Sequence, residues 1–329
     1  MMKTVDRRAL LGLGAFSLSS LSSLPVLAQP AIPDKGVRLL VGFGAGNGTD
    51  VVARQLGPKL ERRVGRYITI ENRVGASGAA AGEALKKGSN DGTNLALLPS
   101  TTFAARIGTP DYPFDPSVDV VPVTLVGTFP LALAVSPKIE VSTYEEYVAF
   151  VRKDPANRRL GSTALSEAFD QVYGKLFSRV LGTDMKIVGF RGGSSMVSDL
   201  DQGKVPAAIS NLPTLLAAHR GGRCRIILLT GDKPSAAAPN LPTAAKLGVA
   251  HLDMREWYMF LTGGKAPRAA IEAWNMHIRA VLNDHVTASD LTQLGLDVQG
   301  CSLEEARVAV DKTIATWKSR MEAFGVATN

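Results

Sequence analysis

The stretch Val37–Asp50, VRLLVGFGAGNGTD, carries the clearest structural signal in the chain. Its aliphatic run Val37–Val41 predicts a buried strand that leads directly into a glycine-rich loop. A helix is predicted over residues 49–64, because apolar residues recur there at helical spacing, at Val52, Leu56, Leu60 and Val64. Gly57-Pro58 inside this helix predicts a kink or a split. The strand–loop–helix unit indicates an α/β fold.

The loop between this strand and this helix has the chemistry of an anion site. Glycines let a backbone turn tightly and approach a ligand, and the N–H groups at a helix start attract negative charge. The spacing does not fit a dinucleotide fingerprint, because the third glycine would fall at Asn47 or Thr49, and no Walker lysine follows. A tight turn without a ligand is the alternative, with Asp50 as a favourable acid in the first helical turn.

Short aliphatic runs alternate with helical patterns along the rest of the chain, which predicts βαβ units and a mainly parallel sheet. Further strands are predicted at residues 67–71, 94–98, 186–190, 206–210 and 225–230. Helices are predicted at residues 77–87 and 167–181, and two more, at 266–282 and 302–324, close the chain. The last helix opens with a capping box, Ser302-Leu303-Glu304-Glu305.

Two extended segments without helical period, Val123–Ser136 and Trp257–Thr262, are predicted to cross between two lobes. The length of 329 residues fits two domains, at roughly 150 residues per domain. We expect residues 29–130 and 257–329, which include the C-terminal helices, to form the first lobe. Residues 131–256 form an inserted second lobe in this interpretation. Lobes joined in this way open and close around a cleft, which loops at the carboxyl ends of the strands face.

Residues 1–28 have the pattern of a secretory signal peptide. Lys3, Arg7 and Arg8 precede an apolar segment, and Val26 and Ala28 occupy the positions that a signal peptidase reads. The serines and the proline within residues 19–25 make the segment too polar for a transmembrane anchor. The arginine pair also fits the twin-arginine export route, and the choice between the two routes stays open. We expect cleavage after Ala28 and a soluble periplasmic product.

The composition argues against several classes of protein. The formal net charge is +7, but the basic residues form no cluster interleaved with aromatics, so nucleic-acid binding has little support. The two cysteines, Cys224 and Cys301, are too few for a disulfide scaffold, and we expect them to stay unpaired. Neither Gly-x-Ser-x-Gly nor His-Glu-x-x-His occurs, which disfavours an exported hydrolase. We expect no enzymatic activity, no metal and no cofactor.

Three further loops are candidates to face the cleft. Ser100 and Thr101 end the third predicted strand and offer hydroxyl donors. The loop Gly161–Ser166 offers hydroxyls and free amides at the start of a helix. In the loop Phe190–Ser195, Ser194 is expected to be an N-cap, whereas Arg191 either pairs with a carboxylate or is solvated.

The order and spacing of these segments resemble the periplasmic substrate-binding receptors of tripartite tricarboxylate transporters, the Bug receptors. The resemblance covers essentially the whole chain after residue 28. The segments that carry it are Val37–Asp50, Ile70–Gly75 (IENRVG), Asn90–Thr93 (NDGT), Val188–Ser194 (VGFRGGS), Pro239–Gly248 (PNLPTAAKLG) and Trp257-Tyr258.

The resemblance implies an α/β, two-lobed periplasmic-binding-protein fold of the Venus-flytrap, type II-like kind, with two crossing strands and no enzymatic activity. It also implies a small carboxylate ligand, held chiefly by backbone amides, hydroxyls and ordered water, that is delivered to membrane transporter subunits. A receptor that presents the ligand to a membrane signalling partner would use the same pocket and is the alternative. We expect a monomer.

The site residues follow position by position from this resemblance, together with the hydroxyls noted above. The candidate ligand-binding residues are Phe43, Ala45, Gly46, Asn47, Asp50, Ser100, Thr101, Ser162, Thr163, Ser166 and Arg191. The chain departs from the family at Gly42, usually proline, at Asn47, usually glycine, and at residues 163–169, usually glycine-rich with a histidine. The distal half of the ligand therefore stays open, and a monocarboxylate or an aromatic acid fits as well as a tricarboxylate.

Overall fold

The computed structural model describes residues 32–109, 111–163, 167–326 and 328. The predicted signal peptide, residues 1–28, and the candidate residue Ser166 lie outside these ranges. Within the described ranges, none of the helices combines the length and the apolarity that are needed to span a bilayer.

The first lobe begins with β1 (Val37–Val41), whose side chains enter two separate cores. Leu39 packs among residues of one core, which includes α1, and Leu40 packs in the other. β1 therefore has both faces buried, as expected for a central strand flanked by helices. Its neighbours are parallel to it on either side. The elements that complete this part are α1 (Gly48–Val64), β2 (Ile68–Asn72), α2 (Ala79–Lys87), β3 (Asn94–Pro99) and α3 (Ser100–Ile107).

A single long strand, β4 (Val120–Val135), belongs to both lobes. Up to Pro130 it runs antiparallel to β9 (Arg255–Gly263), which lies in the first lobe beside β3. From Leu131 onward it pairs with two strands of the second lobe. β4 and β9 are the strands through which the two lobes are connected.

The second lobe is a smaller sheet covered by helices. Its strands are β5 (Arg159–Ser162), β6 (Lys186–Gly189), β7 (Ala207–Asn211) and β8 (Arg225–Leu229). Its helices are α4 (Tyr144–Lys153), α5 (Glu167–Leu181), α6 (Gly193–Asp201) and α7 (Leu212–Arg220). β5 lies between β6 and β7 and is parallel to both, whereas β7 and β8 run antiparallel to β4.

The chain returns to the first lobe with β9 and ends in α8 (Arg268–Leu282), α9 (His285–Gln293), β10 (Asp297–Val298) and α10 (Leu303–Ala323). The predicted capping box at the start of α10 is confirmed, because Ser302 Oγ accepts from Glu305 N while the Glu305 carboxylate accepts from Ser302 N. Three helices, not the predicted two, follow β9, since α9 was not recognised from its sequence.

The last helix packs against both lobes. α10 lies on α3 and β4 in the first lobe. Near its C-terminal end, the Trp317 ring meets the Tyr173 ring of α5 edge-on, with centroids 6.2 Å apart. Just beyond the helix, the Phe324 carbonyl accepts a hydrogen bond of 2.8 Å from Lys175 Nζ. The C-terminal part of the chain therefore ties the second lobe to the first.

The prediction of a mainly parallel sheet is wrong. The pairs within each lobe, β1 with β2 and β3, and β5 with β6 and β7, are parallel. Every pair that involves β4 or β9 is antiparallel. The reason is that a chain which leaves a lobe along one strand returns along its neighbour in the opposite direction.

Two local predictions also differ from the structure. α1 is not split at Gly57-Pro58 and runs as one helix to Val64. Pro58 lies on the exposed side of α1, where a carbonyl that loses its N–H partner can be solvated. Ser100 and Thr101, expected at the end of a strand, instead form the first turn of α3.

We predict that Gly82→Ala destabilises the protein. Gly82 lies in α2, and a Cβ at this position would penetrate the Phe114 ring, which is fully buried. Overpacking of this kind lowers the free energy of unfolding by about 1–3 kcal/mol. The matched control is Gly174→Ala in α5, whose new Cβ would lie 3.6 Å from Ile187 Cγ1, so that the gain of up to ~1 kcal/mol in helix propensity is retained. Urea unfolding of both variants measures the difference, and a stabilised Gly82→Ala would contradict the packing described.

Candidate functional site

A cavity lies between the two lobes, at the carboxyl ends of their strands. Its empty volume, with the opening to solvent included, is about 390 Å³. The residues that line it are Phe43, Asn47, Pro99, Thr101, Leu131, Ser162, Thr163, Tyr173, Ile209, Ser210, Asn211 and Glu256. Apart from Tyr173 on α5, they end or follow β1 and β3 in the first lobe, end or follow β5 and β7 in the second, or belong to β4 and β9. This is the position at which α/β sheets bind ligands.

The two lobes touch each other above the cavity. Gly48 N, at the start of α1, donates a buried hydrogen bond of 2.8 Å to Thr214 Oγ1 of α7. Ser194 Oγ donates to the Ala45 carbonyl at 3.0 Å. The structure therefore describes a closed arrangement of the lobes.

The expectation that Ser194 caps α6 is wrong. The N-cap of α6 is Gly192, and no side chain caps this helix. Ser194 faces the other lobe because α6 starts two residues earlier than expected, so that its hydroxyl reaches the Ala45 carbonyl. At Gly46, which has φ +75°, any Cβ would collide with the Ser194 side chain, and only glycine allows this approach.

Asp50 holds the loop after β1 in place. Its carboxylate accepts hydrogen bonds from Gly46 N at 3.1 Å, from Arg54 Nε at 3.0 Å and from Asn72 Nδ2 at 3.0 Å. Burial opposes ionisation, but the hydrogen bonds from Arg54, Asn72 and Gly46 outweigh it and lower the pKa of Asp50 below its usual value. Asp50 is 2% exposed and does not line the cavity. Its role in the structure is to shape the loop.

Backbone N–H groups at the loop are largely engaged within the protein. Gly46 N donates to Asp50 and Gly48 N to Thr214, as described above. Asn47 N donates to the Gly44 carbonyl, and Thr49 N donates to Asn47 Oδ1. The residues that line the cavity include four with hydroxyl groups, Thr101, Ser162, Thr163 and Ser210.

An asparagine caps a helix on each side of the cavity. Asn47 Oδ1 accepts from Thr49 N at the start of α1, and Asn211 Oδ1 accepts from Thr214 N at the start of α7, each at 3.1 Å. Both asparagines line the cavity and are buried. Because the N-terminal end of a helix carries a partial positive charge, two such ends at one cavity favour an anionic ligand group.

Glu256, the second residue of β9, is a buried acid in the cavity wall. It is 4% exposed, and its Oε1 accepts a hydrogen bond of 3.2 Å from the Tyr173 hydroxyl. Burial raises the pKa of Glu256 to about 7, although the Tyr173 hydrogen bond and the charge of Arg320 act in the opposite direction. Glu256 thus titrates near neutral pH, whereas an exposed glutamate is ionised there.

The structure brings together five of the candidate residues from the sequence. Phe43, Asn47, Thr101, Ser162 and Thr163 all line the cavity.

The other candidates that the structure describes lie outside the cavity wall. Ala45 and Gly46 contact the second lobe, Ser100 is buried beside Trp257, and Arg191 is exposed to solvent.

Seven lining residues were not recognised from the sequence: Pro99, Leu131, Tyr173, Ile209, Ser210, Asn211 and Glu256. Two of them carried a usable signal. Asn211 precedes Leu212-Pro213, which is the pattern of an N-cap followed by a proline in the first helical turn. Glu256 places a charge directly before the apolar run Trp257–Leu261 of the crossing strand. Tyr173 lies on the apolar face of α5, and nothing in that pattern separates it from a core residue.

The described residues contain no group of three or more His, Cys, Asp or Glu side chains that could hold a metal ion. Cys224 and Cys301 are both unpaired thiols in the structure.

Comparison with known proteins gives one family. Residues 52–326 match the model of the tripartite tricarboxylate transporter family receptor. Among curated proteins, the chain is 27% identical to protein BugT of Bordetella pertussis, over 97% of this chain and 98% of the relative.

Solved structures of similar fold include two proteins from Rhodopseudomonas palustris. Rpa4515 with adipate superposes with a TM-score of 0.84 at 26% identity, and the match covers 90% of this chain and 99% of that chain. MatC with bound malate superposes with a TM-score of 0.80 at 22% identity, covering 88% of this chain and 100% of that chain. These similarities confirm the predicted α/β periplasmic-binding-protein fold.

We predict that Asp50→Asn lowers the free energy of unfolding by about 1–3 kcal/mol at pH 7, because the buried carboxylate loses its charge-assisted hydrogen bonds. The folded-state pKa of Asp50 is depressed, so its contribution is present above about pH 4 and is lost as the pH falls further. The stability difference between parent and variant should therefore shrink between pH 7 and pH 3. Urea unfolding at both pH values measures it, and the exposed Asp232→Asn is the control. A difference that does not depend on pH would contradict the network.

Proposed function

Because the chain belongs to the tripartite tricarboxylate transporter receptor family, we propose that it captures a small organic carboxylate between its lobes and delivers it to a membrane transporter. The family and the fold are those of non-enzymatic periplasmic binding receptors. The ligand carboxylate lies between the two asparagine-capped helix starts, and hydroxyl groups of both lobes complete its hydrogen bonds.

The observation that carries the proposal is the pair of helix N-termini at the inter-lobe cavity. Asn47 and Asn211 place the starts of α1 and α7 on opposite sides of one closed space. Closure brings both partial positive charges to the same ligand group, and bonds to a charged group are stronger than neutral ones. The adipate and malate held by the two similar receptors are small carboxylates, which supports the same ligand class here.

Release of ligand requires that the lobes separate. The hydrogen bonds from Gly48 to Thr214 and from Ser194 to Ala45 join the lobes only when they are closed. Ligand groups that bind both lobes therefore favour the closed form. We infer that the transporter subunits distinguish the closed, loaded receptor from the open one by the relative position of the two lobes.

A thermal-shift screen tests the proposal. The panel contains mono-, di- and tricarboxylates and amino acids, each added to the purified protein from which retained ligand has been removed. A ligand at 100 times its dissociation constant stabilises the protein by about 2.7 kcal/mol, so at least one carboxylate should raise the melting temperature by several degrees. A flat response across the whole panel would contradict a carboxylate-binding function.

Asn47→Asp should weaken binding of the carboxylate identified in this way by at least ~10-fold, which corresponds to 1.4 kcal/mol. Aspartate still caps α1, so the fold is kept, but its charge lies beside the bound anion. Isothermal titration calorimetry measures the change, and Asn240→Asp on an exposed loop is the matched control. Unchanged affinity in Asn47→Asp would show that the ligand carboxylate does not approach the start of α1.

We propose that the mature protein is periplasmic and begins at Gln29. Intact mass spectrometry of the periplasmic fraction should give the mass of residues 29–329, because a signal peptidase reads the small residues Val26 and Ala28. Ala28→Lys should leave the precursor uncleaved. Recovery of the full-length mass from the parent in the periplasm would contradict cleavage at this site.

A further inference from the structure

The cavity has an unusual charge balance for a carboxylate site. Among its lining residues in the described part of the chain, Glu256 is the one carboxylate, and none is Lys, Arg or His. Glu256 is nine-tenths or more buried and makes no ion pair with any described residue. Burial of a carboxylate is unfavourable unless a partner compensates it. Tyr173 supplies one neutral hydrogen bond, to Oε1.

None of the described residues forms an ion pair with Glu256. Tyr173 approaches from α5 and Tyr258 from β9 itself, and burial raises the pKa of each hydroxyl well above 10, so both are neutral. Arg320 on α10 acts on Glu256 through its charge. Its guanidinium, however, donates to the Asp253 carbonyl at 2.6 Å and lies 5.4 Å from the centre of the Trp317 ring. Since no cation of the described residues pairs with Glu256, a cationic group of the ligand would fill this role.

We propose that Glu256 is a specificity-determining residue that accepts a hydrogen bond from a protonated amine of the ligand, so that the site prefers an amino carboxylate to a dicarboxylate of similar length. The inference rests on the proposed function, since it assumes that the carboxylate of the ligand lies between the starts of α1 and α7. The amine then faces β9, where Glu256 and Tyr173 form the cavity wall.

A dicarboxylate fits this wall poorly for two reasons. Its second carboxylate would lie beside the carboxylate of Glu256, and the described lining residues include no cationic side chain that could compensate the two charges. It would also bring no donor to Glu256, which would stay buried without a charged partner. An amino carboxylate corrects both features, because its ammonium group neutralises Glu256 and donates up to three hydrogen bonds.

The pH dependence of binding distinguishes two roles of Glu256. In one, the ionised acid accepts from an ammonium group of the ligand; in the other, the protonated acid donates to a second ligand carboxylate. The pKa of Glu256 lies at about 7 in the absence of ligand. An ammonium group favours the ionised acid, so the affinity for an amino carboxylate should rise between pH 6 and pH 8. A protonated Glu256 that donates to a second ligand carboxylate would give the reverse, with affinity for a dicarboxylate rising as the pH falls.

Calorimetry with two matched pairs of probes tests the proposal. The pairs are 4-aminobutyrate with succinate, and 6-aminohexanoate with adipate, titrated at pH 6 and pH 8 into the full mature chain. At pH 8 we expect one amino carboxylate to bind at least ~10-fold more tightly than its dicarboxylate partner, a difference of 1.4 kcal/mol. Its affinity should fall several-fold at pH 6.

Glu256→Gln is the diagnostic variant. Glutamine keeps an acceptor for the Tyr173 hydroxyl but cannot carry charge, so the preference for the amino carboxylate and its pH dependence should both disappear. Glu304→Gln, exposed on α10, is the matched control and should behave as the parent. The pH series on the parent tests the same point if Glu256→Gln does not fold.

Two results would overturn the inference. Preference of the parent for a dicarboxylate, or a preference that is unchanged in Glu256→Gln, would refute the role of Glu256 while the carboxylate-binding function stands. Failure of the parent to bind any probe or any member of the carboxylate panel would refute the proposed function, and the inference with it.

Discussion

The structure depends on one strand that is shared by two sheets. β4 pairs with β9 as far as Pro130, and its next residue, Leu131, already pairs with Asn211 in the second lobe. The lobes therefore stay joined at this point, and they open or close by rotation about the backbone here. Leu131 and Glu256 both line the cavity, so the connection between the lobes is also the floor of the site. Any rotation changes the width of the cavity directly.

The cavity contains two regions that favour opposite charges. At one end, the starts of two helices capped by Asn47 and Asn211 favour negative charge. At the floor, Glu256 favours positive charge or a hydrogen-bond donor. Asp50, although buried close by, is paired with Arg54, accepts a hydrogen bond from Asn72, and shapes the loop. The cavity thus has two regions that favour opposite charges, formed by groups whose positions depend on different elements of the fold.

The sequence predicted the elements of this fold better than the site. The sequence signals for β1, α1 and the capping box of α10 each lie within a short stretch of chain, such as the strand–loop–helix pattern at Val37–Asp50. These elements could therefore be recognised. The direction of β4 relative to its neighbours is a tertiary property, and it was wrongly expected to be mainly parallel. The same limit applies to the site. Residues that directly follow a strand, such as Thr101, were found, whereas Tyr173 reaches the cavity from the apolar face of a helix whose periodicity indicates only burial.

The contacts of α10 have a consequence for the empty receptor. The Trp317 ring contacts α5, and the Phe324 carbonyl accepts a hydrogen bond from it. If rotation of the lobes shifts α5, the energy of these contacts changes with the rotation. Their free energy then contributes to the resting balance between the two conformations and so to the concentration at which the receptor becomes half saturated. Substitutions in the C-terminal helix would then alter sensitivity through the position of the lobes, and through Tyr173, the cavity residue that Trp317 contacts.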